Sequence, residues 1–282
     1  MSSDKFRFPT ITSIVIANMI GTGVFTSLGF QLMDIDSGFV ILLLWALGGV
    51  IAVCGAMTYA ELGAAFPRSG GEYNFLSEIY HPAVGFVAGW TSVTIGFAGP
   101  SALAAITFAA YATSIFEVAD SLWVEKILAV GLVAILTLVH AGRRRSSGGV
   151  QVVFTVLKVI VIVVFCLAVI FMVDQSQPIR FLPRPEDTST LMSGAFAVSL
   201  IYVSYAYTGW NVATYLSSEL ENPQRTLPGI LLTGTLLVTI LYVALNYVFL
   251  YAAPADDLRG EVEVGLIAAR AAFGDAGGQF MG

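Results

Sequence analysis

The 282-residue chain is 57% hydrophobic and only 11% charged, with a formal net charge of −6 and a mean hydropathy of +0.83. A soluble domain with a water-facing surface does not tolerate that balance, so the composition excludes one and implies a chain whose solvent is lipid. The negative charge lies mainly in loops and points to neither nucleic acid nor anionic lipid as a partner.

Crossing about 30 Å of hydrocarbon takes roughly 20 apolar residues. Seven regions qualify, near 10–33, 39–66, 83–116, 125–142, 148–174, 191–218 and 227–253. Runs such as "VLKVIVIVVFCLAVIFMV" are apolar on every face and lack the alternation of a membrane barrel, so the spans are helices. The first apolar stretch carries polar and glycine residues that a cleavable signal peptide has no use for, and it reads as a retained helix.

Span one contains "ANMIGTGVFTSLG", in which Gly21, Thr22 and Gly23 interrupt the apolar run near its midpoint. In lipid an unwound turn persists only where protein, water or a ligand satisfies the freed N–H and C=O groups. The plainer reading is a small-residue helix-packing surface. At the end of span two, Glu61 either pairs with Arg68 or a loop donor as part of the cytoplasmic gate or simply faces water. His81 and His140 fall at predicted interfaces, and Trp90 of span three is expected to pack within the bundle rather than line a pathway.

Orientation follows from the placement of Lys and Arg between spans. Lys5, Arg7, Arg68, Arg143, Arg144, Arg145 and Arg225 fall on one side, three of them in the short loop "GRRRSSGG". Lys126, Arg180, Arg184, Arg259 and Arg270 fall on the other, diluted by Asp34, Asp36, Asp120, Asp256 and Asp257. The N-terminus is therefore expected in the cytoplasm. The two cysteines, Cys54 and Cys166, lie within spans and imply no disulfide framework.

In span five, "FTVLKVIVIVVF" places Lys158 about ten residues deep, roughly 15 Å from the end at a rise of about 1.5 Å per residue. A snorkelling side chain covers about 6 Å and does not reach the interface from there. An intramembrane ammonium marks function by default. It serves either as a switchable charge or as a static pin on backbone carbonyls.

Span six, "VSYAYTGWNVATYLSSELENPQ", is interrupted at Thr208, Gly209 and Asn211. Interrupted helices at corresponding positions of two halves are the strongest sequence pointer to a midplane transporter site. Spans one and six each open a five-helix repeat, and an odd number of helices inverts the second. A broken helix offers N–H groups and a positive dipole end on one half, and C=O groups with a negative end on the other, which suits a zwitterion. Glu219, Glu221 and Arg225 flank "ENPQRTLP", where Pro223 and Pro228 mark a loop and the start of span seven; a structural role is expected there. Neither a metal-ligand spacing nor a Walker-type phosphate loop is present, so no cofactor is expected and direct ATP drive has no support.

These motifs resemble those of the amino acid, polyamine and organocation transporter superfamily. "IGTGVF" is similar to that family's GSGIF motif. "YAELGAAFPRSGGEYNFLSEIYHP" resembles its second span and following loop, and "YAYTGWN…SSELENPQRTLP" resembles span six of its L-type amino acid transporter branch. The resemblance covers essentially the whole chain. It implies an all-α membrane fold of two inverted five-helix repeats plus two further helices, of which the first seven spans are present. Residues 1–253 would form the transmembrane domain, with repeat one at about 10–174 and the start of repeat two at about 191–253. Residues 254–282 would form an extracellular loop with the short amphipathic piece "VGLIAARAAFG". The chain is accordingly expected to be part of a longer permease.

The resemblance also assigns roles. Thr22, Gly23 and Val24 would meet the substrate carboxylate, beside Gly21. Carbonyls of Met19, Tyr205 and Thr208 would meet its ammonium, with Ala206 and Gly209 alongside. Tyr205 would gate the site, or merely pack against a neighbouring helix, and Glu61 would belong to the inner gate. Thr208 stands where a glycine is common and would narrow the pocket towards small or medium neutral substrates. Lys158 would touch the unwound backbone near Gly21 and take the place of a sodium ion. The expected function is a multi-pass permease of the plasma or inner membrane that moves amino acids by alternating access, coupled to protons or to a counter-substrate. A polyamine or other amine carrier, and a non-transporting sensor on the same scaffold, are the alternatives; a membrane enzyme lacks the necessary cluster of ionisable groups.

Overall fold

A computed structural model of the chain describes residues 5–115, 122–141, 144–173 and 177–281. Asp120 and Arg143 lie outside the described residues, as do the side chains of His140, Arg144 and Arg145.

Span one is two helices, α1 (Phe8–Met19) and α2 (Gly23–Gln31), joined by Ile20, Gly21 and Thr22. Pro9 sits in the first turn of α1, where a missing N–H costs nothing. Span two is the single 28-residue helix α3 (Gly38–Ala65), capped by the Ser37 hydroxyl, which accepts from the Val40 N–H. The short α4 (Glu72–Ile79) follows a turn in which Gly70 and Gly71 both take positive φ. Span three comprises α5 (Pro82–Thr91), a π-helical stretch Ser92–Ala98, and α6 (Gly99–Ile115). Its first turn is capped by His81, whose Nδ1 accepts from the Ala83 N–H at 3.2 Å. Spans four and five are α7 (Leu122–His140) and α8 (Arg144–Met172).

After the small α9 (Asp187–Leu191), span six runs as α10 (Gly194–Ala206), a turn, and α11 (Val212–Tyr215). A 3-10 turn at Ser217–Glu219 leads to span seven, α12 (Pro223–Ala252). Two further helices, α13 (Ala255–Leu258) and α14 (Val264–Met281), follow, the latter bent at Gly274 where φ is 70°. Among the described residues, six stretches are long and apolar enough to span a membrane. The seventh, span six, is cut into pieces too short to qualify.

Two expectations are corrected. Span seven begins at Pro223 rather than Pro228, which lies inside α12; Asn222, in left-handed conformation, turns the chain so that Pro223 takes the first helical position. Trp90 is 65% exposed and stacks on Phe86 instead of packing in the bundle.

Lipid is as apolar as leucine, so helices associate here through close packing and hydrogen bonds rather than through exclusion of water. On α3 the residues Gly48, Ala52, Ala56 and Ala60, four apart, form a buried small-residue stripe. Trp45 on the same helix stands edge-on to Tyr242 of α12, with centroids 5.6 Å apart, and Tyr207 completes the cluster by donating to the Trp45 carbonyl at 2.9 Å. Trp45 in turn donates from Nε1 to Oε1 of the buried Gln31 at the end of α2. The two halves of span one therefore lean on α3 and α12, which pack against each other.

On the face opposite the N-terminus, α13 and the turn before α14 are strapped to span one. Gly260 donates its N–H to the Gly29 carbonyl at 2.8 Å, and Arg259 reaches the Leu32 carbonyl and, at 2.8 Å, Asp36. On the same face Asp187 accepts from the Arg184 N–H at 2.7 Å. A hydrogen bond from Ser37, then that N–H, holds its carboxyl below the usual carboxylate range, with Arg180 and Arg184 adding to the effect.

Candidate functional site

The two broken helices meet. In span one the break is tight: the Gly21 N–H reaches the Met19 carbonyl at 2.9 Å and the Phe25 N–H reaches that of Thr22 at 2.9 Å. In span six the break centres on Gly209, with φ at 110°. An added Cβ at Gly209 would stand 2.8 Å from the Asn18 carbonyl oxygen, so both the dihedral and the approach require glycine. At Gly23 an added Cβ would lie 3.1 Å from the Ala206 Cα, which brings the start of α2 hard against the end of α10. Gly21, in contrast, has open space around its Cβ position.

Unwinding frees carbonyls at the ends of α1 and α10, and three side chains receive them. Lys158 Nζ donates to the Ile20 carbonyl at 2.8 Å. Asn18 Nδ2 donates to the Gly209 carbonyl at 3.0 Å. The Tyr242 hydroxyl lies 2.6 Å from the Met19 carbonyl and 3.2 Å from that of Ala206, straddling both half-helices from α12. Each satisfies backbone that hydrocarbon would leave unpaired. One ammonium, one amide and one phenol thus receive four carbonyls of the two breaks.

Among the carbonyls proposed for a substrate ammonium, that of Met19 already receives the Gly21 N–H and Tyr242. That of Tyr205 receives both the N–H and the hydroxyl of Thr208, at 3.0 and 2.7 Å. A ligand at either would have to compete with these donors. The N–H groups at the start of α2, including those of Gly23 and Val24, have no intrahelical acceptor by the geometry of a helix end. Thr22 and Gly23 line a cleft of about 950 Å³ together with Thr26, Lys158, Tyr205 and Glu263. The Tyr205 ring is 57% exposed and open to it.

The match to amino acid permease sequences runs over residues 6–282. The chain belongs to the amino acid permease family. The permease chain is 31% identical over 238 residues to mouse b(0,+)-type amino acid transporter 1, covering 84% of this chain and 49% of that protein. It is 30% identical over 273 residues to the serine/threonine exchanger SteT of Bacillus subtilis (strain 168), covering 95% of this chain and 60% of that one. Human large neutral amino acids transporter small subunit 2 is 29% identical over 252 residues, 87% of this chain and 46% of its own length. The chain spans about half the length of the curated relatives it matches.

Of the two readings of Glu61, the structure shows the water-facing one. Arg68 pairs with Glu78, at 3.4 Å, and Glu61 is an exposed residue of α3. The carboxylate drawn into the network beneath span six is that of Glu72, which sequence reasoning passed over. Asn18 and Tyr242 were also missed. Asn18 was signalled weakly, as a polar residue in an apolar run directly before the break; Tyr242 looked like any aromatic of a membrane helix.

Proposed function

We propose that this permease chain forms the substrate-handling part of a secondary transporter that moves amino acids across the cell membrane by alternating access, with spans one and six hinging at their breaks. The observation that carries the reading is the junction of the two breaks, where Lys158, Asn18 and Tyr242 tie freed carbonyls beside a cleft. The names of its relatives, which include an exchanger, support exchange of one amino acid for another; proton coupling is the alternative drive.

The start of α2 supplies N–H groups without an intrahelical acceptor and a positive dipole end for a carboxylate, with the Thr22 hydroxyl beside them. Tyr205 closes over the cleft. The cleft holds one ammonium, Lys158, and one carboxylate, Glu263, a balance that fits a net-neutral zwitterion better than a polyamine. Small or medium neutral amino acids are the proposed substrates. The greater density of Lys and Arg on the N-terminal face supports a cytoplasmic N-terminus in a plasma or inner membrane.

Uptake by the full-length permease in liposomes tests this: labelled neutral, basic and acidic amino acids, with and without a pH gradient and with and without internal amino acid. Saturable uptake of neutral amino acids, stimulated by internal amino acid, is the expected result. Uptake of polyamines with no uptake of any amino acid would overturn it.

A further inference from the structure

The motif "RSGGEYNF" between spans two and three has no part in the site above, yet its residues form a dense polar network with the end of span six. Asn211 Nδ2 donates to Glu72 Oε1 at 2.6 Å, and the Tyr215 hydroxyl donates to Glu72 Oε2. Both carboxylate oxygens are thus held by α11 and the turn before it. The Tyr215 hydroxyl also lies 3.2 Å from Ser92 Oγ, and its ring stands edge-on to Phe97 at 5.2 Å. Ser92 and Phe97 both belong to the π-helical stretch of span three, an irregularity that often accompanies functional sites.

The backbone is adapted to the same contact. Gly71, at φ 52°, would place a Cβ 2.9 Å from the Tyr215 ring carbon Cζ, so only glycine lets α4 come this close. On the other side of the turn, Ser69 Oγ lies 2.5 Å from Ser218 Oγ and accepts from the Ser218 N–H at 3.0 Å. The N-terminal half of span one is attached to the same segment, through the Phe6 N–H to the Glu219 carbonyl at 2.8 Å. The halves of spans one and six on the N-terminal face therefore form one body. Side-chain hydrogen bonds from the 69–72 turn, with Glu72 at their centre, fasten that body to the segment between spans two and three.

We propose that Glu72 is a gate residue: its carboxylate, held by Asn211 and Tyr215, latches the N-terminal halves of spans one and six shut, and opening of the cleft to that face requires both donors to leave it. The proposal rests on the transporter reading for its purpose, but the latch itself is a statement about which face the cleft opens to. Hydrogen bonds to a carboxylate are stronger than neutral ones, so losing the pair shifts the closed–open balance by about tenfold or more.

Accessibility of the cleft tests it. Ala17, on α1, lines the cleft. In the full-length permease with Cys54, Cys166 and any further cysteine replaced by serine, Ala17→Cys would be challenged with a membrane-impermeant thiol reagent from the N-terminal face. Glu72→Ala is expected to raise the modification rate about tenfold, Glu72→Gln less, since its amide oxygen still accepts one donor. Tyr215→Phe keeps the ring against Gly71 and Phe97 while removing one donor, and is expected to act in the same direction even if Glu72→Ala fails to fold. The KM for substrate presented from the N-terminal face should fall relative to that from the opposite face. Unchanged modification rates in Glu72→Gln and Tyr215→Phe would overturn the latch. Because modification needs no transport, a wild-type permease that moves no amino acid would sink the transporter reading and leave this test standing.

Discussion

Gly209 and Gly21 occupy the two breaks, and the structure separates them sharply. Replacing Gly209 with alanine forces a residue with a Cβ to hold φ at 110°, a strain of about 1–3 kcal/mol. The new methyl would stand 2.7 Å from Asn18 Nδ2 and 2.8 Å from the Asn18 carbonyl oxygen, against an ordinary contact of about 3.4–4 Å. The backbone oxygen cannot swing aside as a side chain can, so the Asn18–Gly209 hydrogen bond goes too, at about 0.5–1.5 kcal/mol. Together these give a loss of about 1.5–4.5 kcal/mol, felt where the two half-helices meet. The matching change at Gly21 meets nothing within 4 Å, and its cost stays below about 1 kcal/mol. Thermal unfolding of the full-length permease in detergent, followed by tryptophan fluorescence, compares the two directly. A Gly209→Ala protein as stable as the Gly21→Ala protein would refute the account of the junction.

Other consequences are equally specific. Tyr242→Phe keeps the aromatic cluster with Trp45 and Tyr207 but strips the hydroxyl from two half-helix carbonyls; a loss of about 1–2 kcal/mol and a slower exchange rate are expected, measured by melting and by counterflow. Lys158→Met retains the length of the side chain and removes the donor to Ile20; uptake should fall at least tenfold with the protein still folded, as size-exclusion chromatography would show. Asp187 is held below its usual range by Ser37 and the Arg184 N–H, so the carboxylate stabilises its loop above the unfolded value near 3.8 and that contribution is lost as pH falls through the lower folded value. Asp187→Asn should therefore lower stability at neutral pH and flatten the acid limb of a stability–pH profile.

The breaks were legible because glycine and threonine interrupt two apolar spans at corresponding positions, which a packing surface on one helix does not explain. Lys158 was legible because an intramembrane ammonium marks function by default, and its partner, Ile20, stands one residue from the position expected. What the sequence did not reveal were pairings across the fold. Asn18 and Gly209 are 191 residues apart, Tyr242 and Met19 are 223 apart, and nothing local in either segment specifies its partner. Glu61 and Arg68 were an inviting pair because they are neighbours in sequence, whereas Arg68 turns to Glu78 along α4. The double glycine before Glu72 was the available clue to the latch: a turn so tight implies that the next helix approaches something closely. The π-helical stretch of span three was not read from the sequence, where Ser92, Thr94 and Gly96 look like the small polar residues of any membrane helix.

The central claim is that the paired breaks hold a zwitterion, and the most direct measurement is competition in counterflow by three versions of one neutral amino acid. These are the amino acid itself, its methyl ester, which keeps the ammonium, and the corresponding hydroxy acid, which keeps the carboxylate. The account predicts that only the intact amino acid competes strongly, with each single-charge analogue weaker by at least about tenfold, since each forfeits charge-assisted hydrogen bonds to one half of a broken helix. An ester that competes as well as the amino acid would show that the N–H groups at Thr22, Gly23 and Val24 receive no carboxylate, and would contradict the claim.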